Sequence, residues 1–312
     1  MLLEKKDVID MLRCPKSGSK LTKIDKKLIS ESSIEPMKYN FVGDCPVLID
    51  FEKGLLKKEA TETLLDYLER PEYNRLLKFL RGFVSPQQKE TVENIDRLTK
   101  LLLAKNDISR VLIVGGGSIG QGIECFYNNA RIEIVSFDIY VSPHIQFVAD
   151  GHNIPLPDRS FDAVIVQAVL EHVLEPITVV SEIYRVLKQD GIVYAETPFL
   201  QHVHEGAYDF TRYTESGHRY LFKDFESIES GSCGGAGTQL LWSIDNFVRG
   251  VFRSRTVGKV IKLGFFWLQY FDRIIPESYN IDAASGVFFL GRKQSVPING
   301  IKAIAHYKGA QM

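Results

Sequence analysis

The stretch that most constrains the fold of this chain covers residues 111–122, with the sequence VLIVGGGSIGQG. Four apolar residues end on three consecutive glycines, and two more glycines follow within five residues. This order predicts a buried parallel strand, a tight turn, and a helix that begins behind the turn. Glycine suits such a turn because it tolerates positive φ and lets a ligand approach the backbone closely. The start of the helix would offer unpaired N–H groups to an anionic ligand.

Length and composition are those of an ordinary globular protein. The chain has 312 residues, enough for one large domain or two modest ones. Its formal net charge of -1 gives no reason to expect a nucleic-acid partner. Four dispersed cysteines do not make a disulfide framework, and no segment resembles a signal peptide or a membrane span of about 20 apolar residues. We therefore expect a cytoplasmic protein.

From Ser109 onward, apolar runs of strand length alternate with helical patterns. RVLIVGG, RIEIVSFD, IQFVAD, FDAVIVQ and GIVYAETP predict five strands, and ITVVSEIYRVLKQDG predicts an amphipathic helix that ends at Gly191. Such alternation is typical of an α/β fold with a doubly wound, Rossmann-like parallel sheet. Ligands of such sheets bind outside the carboxyl ends of the strands.

Two regions precede this alternating part. Residues 1–52 predict a small α+β module, with a short helix at VIDMLRC and strands at KLIS and KYNFVG. Residues 53–107 predict helices, because leucines recur at helical spacing on both sides of Pro71, at Leu64, Leu65, Leu68, Leu76, Leu77 and Leu80. QQKETVENIDRLTKLLLAK predicts a further amphipathic helix. We interpret these helices as a cap over a substrate cleft or as a packed connector.

Two classes of cofactor fit the glycines. Gly115-x-Gly117-x-x-Gly120 suits a nicotinamide or flavin enzyme, and Gly115-x-Gly117 suits a nucleoside-binding methyltransferase. In both classes an acid at the end of the second strand bonds the ribose hydroxyls. Asp138 has that place, about 20 residues past the glycines. The glycines and Asp138 alone therefore leave both classes open.

The segment from strand three to strand five separates the two classes. It reads DGHNIPLPDRSFDAVIVQAVLEHVLEPITVVSEIYRVLKQDGIVYAETP. It resembles, nearly position for position, the class I S-adenosylmethionine-dependent methyltransferases of the small-molecule type. Their usual run is D-x-x-x-L-P-x-x-x-x-S-F-D-x-V, then L-E-H-V, E-x-x-R-V-L-K-x-G-G and a strand that ends in proline. The resemblance covers residues 110 to about 215. It implies a seven-stranded methyltransferase sheet with S-adenosyl-L-methionine as cofactor.

The resemblance also implies roles for individual residues. The turn glycines would lie along the methionine part of the cofactor, and a carboxylate after strand two would accept two hydrogen bonds from the ribose. Residues after strand three would border the adenine, and residues at the end of strand four would lie under the sulfonium. The implied cofactor-binding residues are Gly115, Gly117, Asp138, Asp150, Gly151, His152, Gln167 and Ala168. The chain departs from the family at Ile113, where an acid is usual, and at Gly120, which is displaced.

The N-terminal module has a resemblance of its own. CPKSGSKL and GDCPVL resemble the CPxCxxxL and GxPVL segments in the zinc-ribbon-like activator subunit of several tRNA, rRNA and protein methyltransferases. Ser17 stands at the second knuckle position, which leaves Cys14 and Cys45 as sulfur ligands. A structural zinc site needs about four N or S ligands. We therefore expect a metal-free module and no metal ligands in the chain.

The acceptor chemistry is expected in the loop after strand five, PFLQHVHEGAYDFTRYTESGHRYLF. Methyl transfer to oxygen needs proximity and a base, because the sulfonium is already activated. His202 and His204 are the candidate bases, and Asp209 is a further candidate catalytic residue. The loop resembles the P-F-x-x-x-x-H and Y-D-F-x-R-(Y/W)-T stretch of methyltransferases that are often associated with surface-polysaccharide and other glycan pathways. Two alternatives are a structural ion pair between Asp209 and Arg212, and a divalent-metal site at the His-x-His pair.

The methyltransferase domain is expected to span residues 108–295, with strands six and seven at FKDFESIES and ASGVFFLGRK and a C-terminal tail at 296–312. A helical insertion, residues 238–276, follows the loop GSCGGAG. The insertion is rich in aromatic residues and carries basic residues at roughly helical spacing: Arg249, Arg253, Arg255, Lys259 and Lys262. A basic amphipathic helix can lie on an anionic membrane. More often such a face packs on its own domain or on a second copy, as in a homodimer.

We therefore expect a methyltransferase that uses S-adenosyl-L-methionine to methylate an oxygen of a small-molecule or glycan acceptor, including a lipid-linked sugar. Two alternatives stay open. An RNA or protein methyltransferase fits the N-terminal module, although the composition is not basic and the sequence QAVL replaces an asparagine-proline-proline-tyrosine-type motif. A binding module that keeps the fold without catalysis is the alternative from another class.

Overall fold

A single mixed sheet runs through the computed structural model, which describes residues 1–31, 36–52 and 88–311. In chain order its strands are β1 (Leu21–Ile24), β2 (Lys27–Ser30), β3 (Lys38–Val42), β4 (Cys45–Leu48), β5 (Ser109–Val114), β6 (Ile132–Asp138), β7 (Phe147–Ala149), β8 (Phe161–Gln167), β9 (Leu187–Pro198), β10 (Phe225–Cys233) and β11 (Gly286–Lys293).

Helices cover both faces of this sheet and one of its ends. The α-helices are α1 (Lys5–Ile9), α2 (Lys89–Lys105), α3 (Glu124–Tyr127), α4 (Pro176–Val186), α5 (Glu215–Leu221), α6 (Ala236–Phe252), α7 (Arg255–Gly264), α8 (Glu277–Ala283) and α9 (Gly300–Ala305). Short 3-10 helices lie at Leu170–His172, Gly206–Tyr208 and Phe266–Arg273. Helix α2 confirms the prediction for its segment, whereas the helices predicted between residues 53 and 87 lie outside the described residues.

Seven strands form the doubly wound sheet that the sequence predicts. Their order is β7-β6-β5-β8-β9-β11-β10, and β11 runs antiparallel to its two neighbours β9 and β10. Within these seven strands, β5 lies in the middle. The chain runs outward from β5 through β6 to β7 and then crosses back to β8, on the other side of β5. The crevice between β5 and β8 is the switch point where such folds bind their ligands.

The described sheet has eleven strands rather than the predicted seven, because the N-terminal module continues it. Strand β4 pairs in parallel with β7, and β3, β2 and β1 follow as antiparallel neighbours. All four residues of β4 are buried, so this strand needs packing on both faces and pairing on both edges. The three-residue edge strand β7 provides one of those edges. The module is therefore built onto the sheet rather than tethered beside it.

The two faces of the sheet separate two hydrophobic clusters. Side chains alternate along β5, so that Leu112 and Val114 face α4 while Val111 and Ile113 face α2. Helix α2 buries Ile95, Leu98 and Leu102, whose spacing of three and four residues puts them on one side of the helix. Full burial of one such side chain contributes roughly 1.5–3 kcal/mol, so this α2 stripe accounts for much of its attachment to the sheet.

Two element boundaries differ from the sequence prediction. Helix α4 ends at Val186 rather than at Gly191, because Leu187 is fully buried and already pairs with Phe161 at the start of β9. The segment GSCGGAG is not wholly a loop, since β10 continues to Cys233, which pairs with Gly286 of β11. The sequence did not predict the end of this strand, because a glycine-rich segment has few side chains that could show the alternation of apolar and polar residues.

The helical insertion is observed as α6, α7 and the 3-10 helix Phe266–Arg273. Asp272 from the end of the 3-10 helix caps the start of α6, accepting hydrogen bonds from the backbone N–H of Gly235, Gly237 and Thr238. This cap joins the end of the insertion to its beginning. The predicted tail carries helix α9, and Arg219 of α5 donates to the carbonyl of Ala303 in it. Among the described helices, none is long and apolar enough to cross a bilayer.

One histidine of α5 makes stability depend on pH. His218 is buried between the rings of Tyr213 and Phe222, and within the described part of the chain neither ring nitrogen has a hydrogen-bond partner. Burial lowers the pKa of His218 to about 3. The unfolded chain therefore takes up this proton first, and stability is lost as the pH falls from about 6.5 towards 3.

We expect His218→Leu to lose less stability between pH 7 and pH 5 than the wild type, by about 2 kcal/mol, since the titrating group is gone. Urea unfolding at both pH values measures the difference. His144→Leu, which replaces a half-exposed histidine, serves as the control and should keep the wild-type loss. Equal losses in wild type and His218→Leu would show that His218 is not the source.

Candidate active site

The glycine turn after β5 is locked against its two neighbouring strands. The backbone N–H groups of Gly115 and Gly116 both donate to the carbonyl of Phe137, at 3.0 and 2.9 Å. Gly115 has φ +74°, and a Cβ at this position would overlap the side chain of Val169, which follows β8. The turn therefore needs glycine for its φ and for close packing. The helix predicted behind it is the four-residue α3, which starts only at Glu124 and is too short to serve as an anion site.

Asp138 ends β6 beside this turn, as predicted. One carboxylate oxygen accepts the N–H of Gly117 at 2.8 Å, and the other accepts the N–H of Ile139 at 2.7 Å. The residue is 9% exposed. The ring of Tyr140 lies along the turn, 2.6 Å from where a Cβ on Gly117 would be. Asp138 thus holds the turn in place at the carboxyl edge of the sheet.

Asp150 follows β7 and is paired with His152. Its carboxylate accepts the backbone N–H of His152 at 2.9 Å and the ring Nδ1 at 2.6 Å. Burial opposes the ionised form of Asp150, but the hydrogen bonds from His152 outweigh it and leave the pKa of Asp150 below its usual range. The same hydrogen bond raises the pKa of His152. Gly151 lies between them, and a Cβ at this position would make only ordinary contact with Val179.

Gln167 and Ala168 lie at the end of β8, across the crevice from the turn. The Gln167 Nε2 donates to the carbonyl of Gln121 at 3.2 Å and to Glu196 at 3.1 Å, while no described donor reaches its buried Oε1. A Cβ on Gly120 would overlap this oxygen. Ala168 is exposed and has φ +53°. Because all these strands are parallel, the turn, Asp138, Asp150 and Gln167 meet at one edge of the sheet.

Glu196 is a component of this edge that the sequence analysis missed. Its carboxylate accepts hydrogen bonds from Thr91 at 2.6 Å, from Tyr194 and from Gln167, and burial raises its pKa. The network ties α2 to the ends of β8 and β9 and fixes the orientation of Gln167. A signal was present, since a glutamate closes the apolar strand GIVYAETP.

The loop after β9 is organised by an ion pair. Arg212 contacts both carboxylate oxygens of Asp209 and donates to the carbonyls of Gln201 and His202 at 2.8 and 3.3 Å. Asp209 also accepts the backbone N–H of His204 at 2.9 Å. The hydrogen bonds from Arg212 hold the pKa of Asp209 well below its usual range. Asp209 and Arg212 therefore form the ion pair that the sequence offered as an alternative.

His204 faces a buried carboxylate. Its Nε2 lies 3.9 Å from Oε1 of Glu171, and its Nδ1 lies 3.4 Å from Asp209. The Nε2 of His172 lies 3.6 Å from the same oxygen of Glu171, and the two imidazole rings are 5.0 Å apart. Burial raises the pKa of Glu171 to about 7. Sequence reasoning treated LEHV as a family motif and did not single out Glu171.

His202 lies apart from this group. Its ring centroid is 5.8 Å from that of Trp242 on α6. Burial and the charge of Arg249 lower the pKa of His202 below its ordinary value. The insertion also contacts the loop through Gln239, whose side chain donates to the carbonyl of Leu200 at 2.9 Å. The loop and α6 thus enclose His202 together.

Cys14 and Cys45 lie in different hydrophobic clusters, and both are buried and free. Elsewhere, a cavity of about 330 Å³ opens at the amino ends of β8 and β9, beside Asn106, Asp162, Lys188 and Arg292. It lies at the edge opposite the glycine turn, where doubly wound folds do not bind their ligands, so we do not assign it a function.

Comparison with protein families gives a match of residues 123–195 to the family described as "Methyltransferase domain". The match begins after the glycine turn and ends in β9, so the acceptor loop and the insertion lie outside it. Together with the strand order, it shows a methyltransferase domain that uses S-adenosylmethionine as its cofactor. The Oε1 of Gln167, which no described donor reaches, and the glycine turn fit such a cofactor. A comparison with curated proteins gave no significant match.

Several solved structures are similar to this chain. Phosphoethanolamine N-methyltransferase 2 of Haemonchus contortus, in complex with S-adenosyl-L-methionine, is 15% identical over 88% of this chain and 71% of its own, with a TM-score of 0.45. The [4+2]-cyclase SpnF is 19% identical over 65% and 82%, with a TM-score of 0.38. A chain of the complex that contains the Haloferax volcanii Trm112 methyltransferase activator is 18% identical over 64% and 90%, with a TM-score of 0.42. These overall similarities are too low to support a substrate.

Proposed function

We propose that the methyltransferase domain of this chain transfers the methyl group of S-adenosyl-L-methionine to a hydroxyl oxygen of a small-molecule or glycan acceptor, including a lipid-linked sugar. The observation that carries this proposal is a loop with two histidines that leaves the carboxyl edge of the sheet at the end of β9. The cofactor supplies an activated methyl group when it is bound. The protein then has to align the acceptor and take its proton.

The cofactor would be held by the residues that meet at the carboxyl edge. Asp138 would accept the ribose hydroxyls, because it ends β6 at this edge and a carboxylate can accept two hydrogen bonds side by side. The Asp150–His152 pair would border the adenine, and the unpartnered Oε1 of Gln167 would face the sulfonium region. The full proposed set is Gly115, Gly117, Asp138, Asp150, Gly151, His152, Gln167 and Ala168.

His202 is our candidate for the base that takes the acceptor proton. A base has to be neutral before the reaction, and burial together with Arg249 keeps the pKa of His202 below its ordinary value. Asp209 suits this task poorly, because its pairing with Arg212 makes the carboxylate a weak base. Its role in the proposal is to position His204 and to hold the loop.

The chemical outcome can be tested with cofactor that carries a deuterated methyl group. We expect the purified protein to transfer the label from this cofactor to hydroxyl-bearing small molecules or glycan precursors in a cell extract, as methyl ethers. Mass spectrometry of the small-molecule, glycan, RNA and protein fractions identifies the product. Label found in RNA or protein, or on nitrogen, would contradict the proposal.

A variant of the base separates chemistry from binding. We expect His202→Ala to lower the rate of labelling by about 10²–10⁴-fold while leaving cofactor affinity unchanged. The acidic limb of the wild-type pH–rate profile, which falls as His202 gains a proton, should also disappear. His144→Ala is the control, and wild-type turnover in His202→Ala would exclude this base.

We propose that the insertion surface, defined as Phe247, Phe252, Leu263, Trp267 and Phe271, contacts the cytoplasmic face of an anionic membrane. Its support is that these apolar side chains are exposed, with Phe247 at 71% and Phe252 at 62%. Three cations lie nearby in sequence, and none has a described carboxylate within ion-pair distance: Arg253, Arg255 and Lys259. Cations beside exposed aromatics suit anionic headgroups over a shallow apolar layer.

Sedimentation with lipid vesicles tests this surface. We expect the protein to bind phosphatidylglycerol vesicles and not phosphatidylcholine vesicles, and the double variant Phe247→Ser/Phe252→Ser to bind much less. Ile177→Ser, which removes an equally exposed apolar residue from α4, should bind like the wild type. A homodimer in solution that the double variant dissociates, without vesicle binding by the wild type, would contradict the membrane proposal.

The division of the chain completes the proposal. We divide it into an N-terminal module at 1–52 that is similar to the zinc-ribbon-like activator, a helical region at 53–107, the methyltransferase domain at 108–295 and a tail at 296–312. The pairing of β4 with β7 supports a role of the module in completing the sheet beside Asp150. We propose no metal at Cys14 and Cys45, because they lie in different clusters.

A further inference from the structure

We propose that Glu171, His172 and His204 bind a divalent transition-metal ion at the carboxyl end of β8, facing the acceptor site. This group differs from the cysteine site considered for the N-terminal module. It shares His204 with the His-x-His alternative of the sequence analysis, but Glu171 and His172 take the place of His202. The binding of the ion is an inference from the side chains themselves. Its role towards the acceptor rests on the proposed function.

The first observation is a buried carboxylate without partners. The Glu171 side chain is 1% exposed, and no described hydrogen-bond donor reaches either of its oxygens. The guanidinium group of Arg212 is used by Asp209 and by three backbone carbonyls. Burying an ionised carboxylate without a partner is costly, and a cation bound next to Glu171 would offset that cost.

The second observation is the orientation of both histidines. Each directs its Nε2 towards Oε1 of Glu171, and each has its Nδ1 against an oxygen. The Nδ1 of His172 donates to the carbonyl of Tyr208 at 2.7 Å, and the Nδ1 of His204 lies 3.4 Å from the carboxylate of Asp209. Metal-binding histidines are usually fixed in this way, because an acceptor at one nitrogen leaves the lone pair of the other free for the ion.

The third observation is the spacing of the ligand atoms. The carboxylate oxygen and the two ring nitrogens all lie within 4.8 Å of one another. The separations of 3.6 and 3.9 Å from Glu171 are too long for hydrogen bonds. Two ligands at about 2.1 Å from one ion, at a tetrahedral angle, are roughly 3.4 Å apart. The group is therefore slightly wider than an occupied site and leaves room for one ion.

The donor set indicates which ion would bind. Two imidazoles and one carboxylate suit zinc and its neighbours in the transition series, whereas magnesium and calcium prefer oxygen ligands alone. Three protein ligands leave a coordination position open, and both histidine side chains are partly exposed. An acceptor hydroxyl bound there would have a lowered pKa and would release its proton more readily to a nearby base or to water.

Metal binding is tested on the full-length protein after treatment with a chelator. Calorimetric titration with Zn²⁺ should show one ion per chain, and Co²⁺ should give the visible spectrum of a bound nitrogen–oxygen site. Glu171→Gln, His172→Ala and His204→Ala should each weaken binding by at least about 100-fold, and Asp209→Asn by about 10–100-fold. His202→Ala, from the same loop, is the matched control and should bind Zn²⁺ like the wild type.

The same samples are titrated with S-adenosylmethionine, and their far-ultraviolet circular dichroism is recorded. Wild-type protein that binds the cofactor but no Zn²⁺ would overturn the metal proposal and leave the proposed function standing. Wild-type Zn²⁺ affinity in His204→Ala and His172→Ala would overturn it as well. If Glu171→Gln fails to fold, His172→Ala and His204→Ala still decide the test, because both histidines are partly exposed and we expect their replacement to leave the fold intact.

Discussion

The contact between the glycine turn and its neighbours is the constraint on which the ligand-binding edge depends. The carbonyl of Phe137 accepts two successive N–H groups of the turn, and the absence of a Cβ on Gly115 allows Val169 to pack against it. These contacts join the ends of β5, β6 and β8. Asp138 completes the arrangement by accepting the N–H of Gly117. Asp138, the proposed ribose ligand, therefore also supports the turn. The fold and the proposed cofactor site depend on the same contacts at this edge.

The acceptor side depends on a different interaction, the pairing of Asp209 with Arg212. Arg212 gathers the carbonyls of Gln201 and His202, while Asp209 accepts the N–H of His204. The ion pair thus determines the backbone conformation of the loop, and the two histidine side chains lie in different surroundings. The side chain of His202 is partly buried beside α6, and that of His204 lies next to Glu171. The Asp209–Arg212 ion pair in this way keeps His202, the proposed base, apart from His204, the proposed metal ligand.

The sequence predicted what depends on short-range pattern. Apolar runs that end in glycine or acid located the strands and Asp138, because strand period and turn chemistry are local properties. The continuation of the sheet from β7 into β4 was not predictable, since strand pairing over about 100 residues has no local signature. For the same reason the meeting of Glu171 with His204, and the network at Glu196, came only from the structure. Both involve buried carboxylates, and His204 and Thr91, which lie close to them, belong to other parts of the chain.

The central claim is that the carboxyl edge around Asp138 binds S-adenosylmethionine. Calorimetric titration of the wild type, Asp138→Ala and Glu133→Ala with the cofactor tests it most directly. Glu133 lies on the same strand but near its amino end, where it pairs with Arg110. We expect binding by the wild type and Glu133→Ala, and none by a folded Asp138→Ala. No binding by the wild type at millimolar cofactor, or wild-type affinity in Asp138→Ala, would contradict the account.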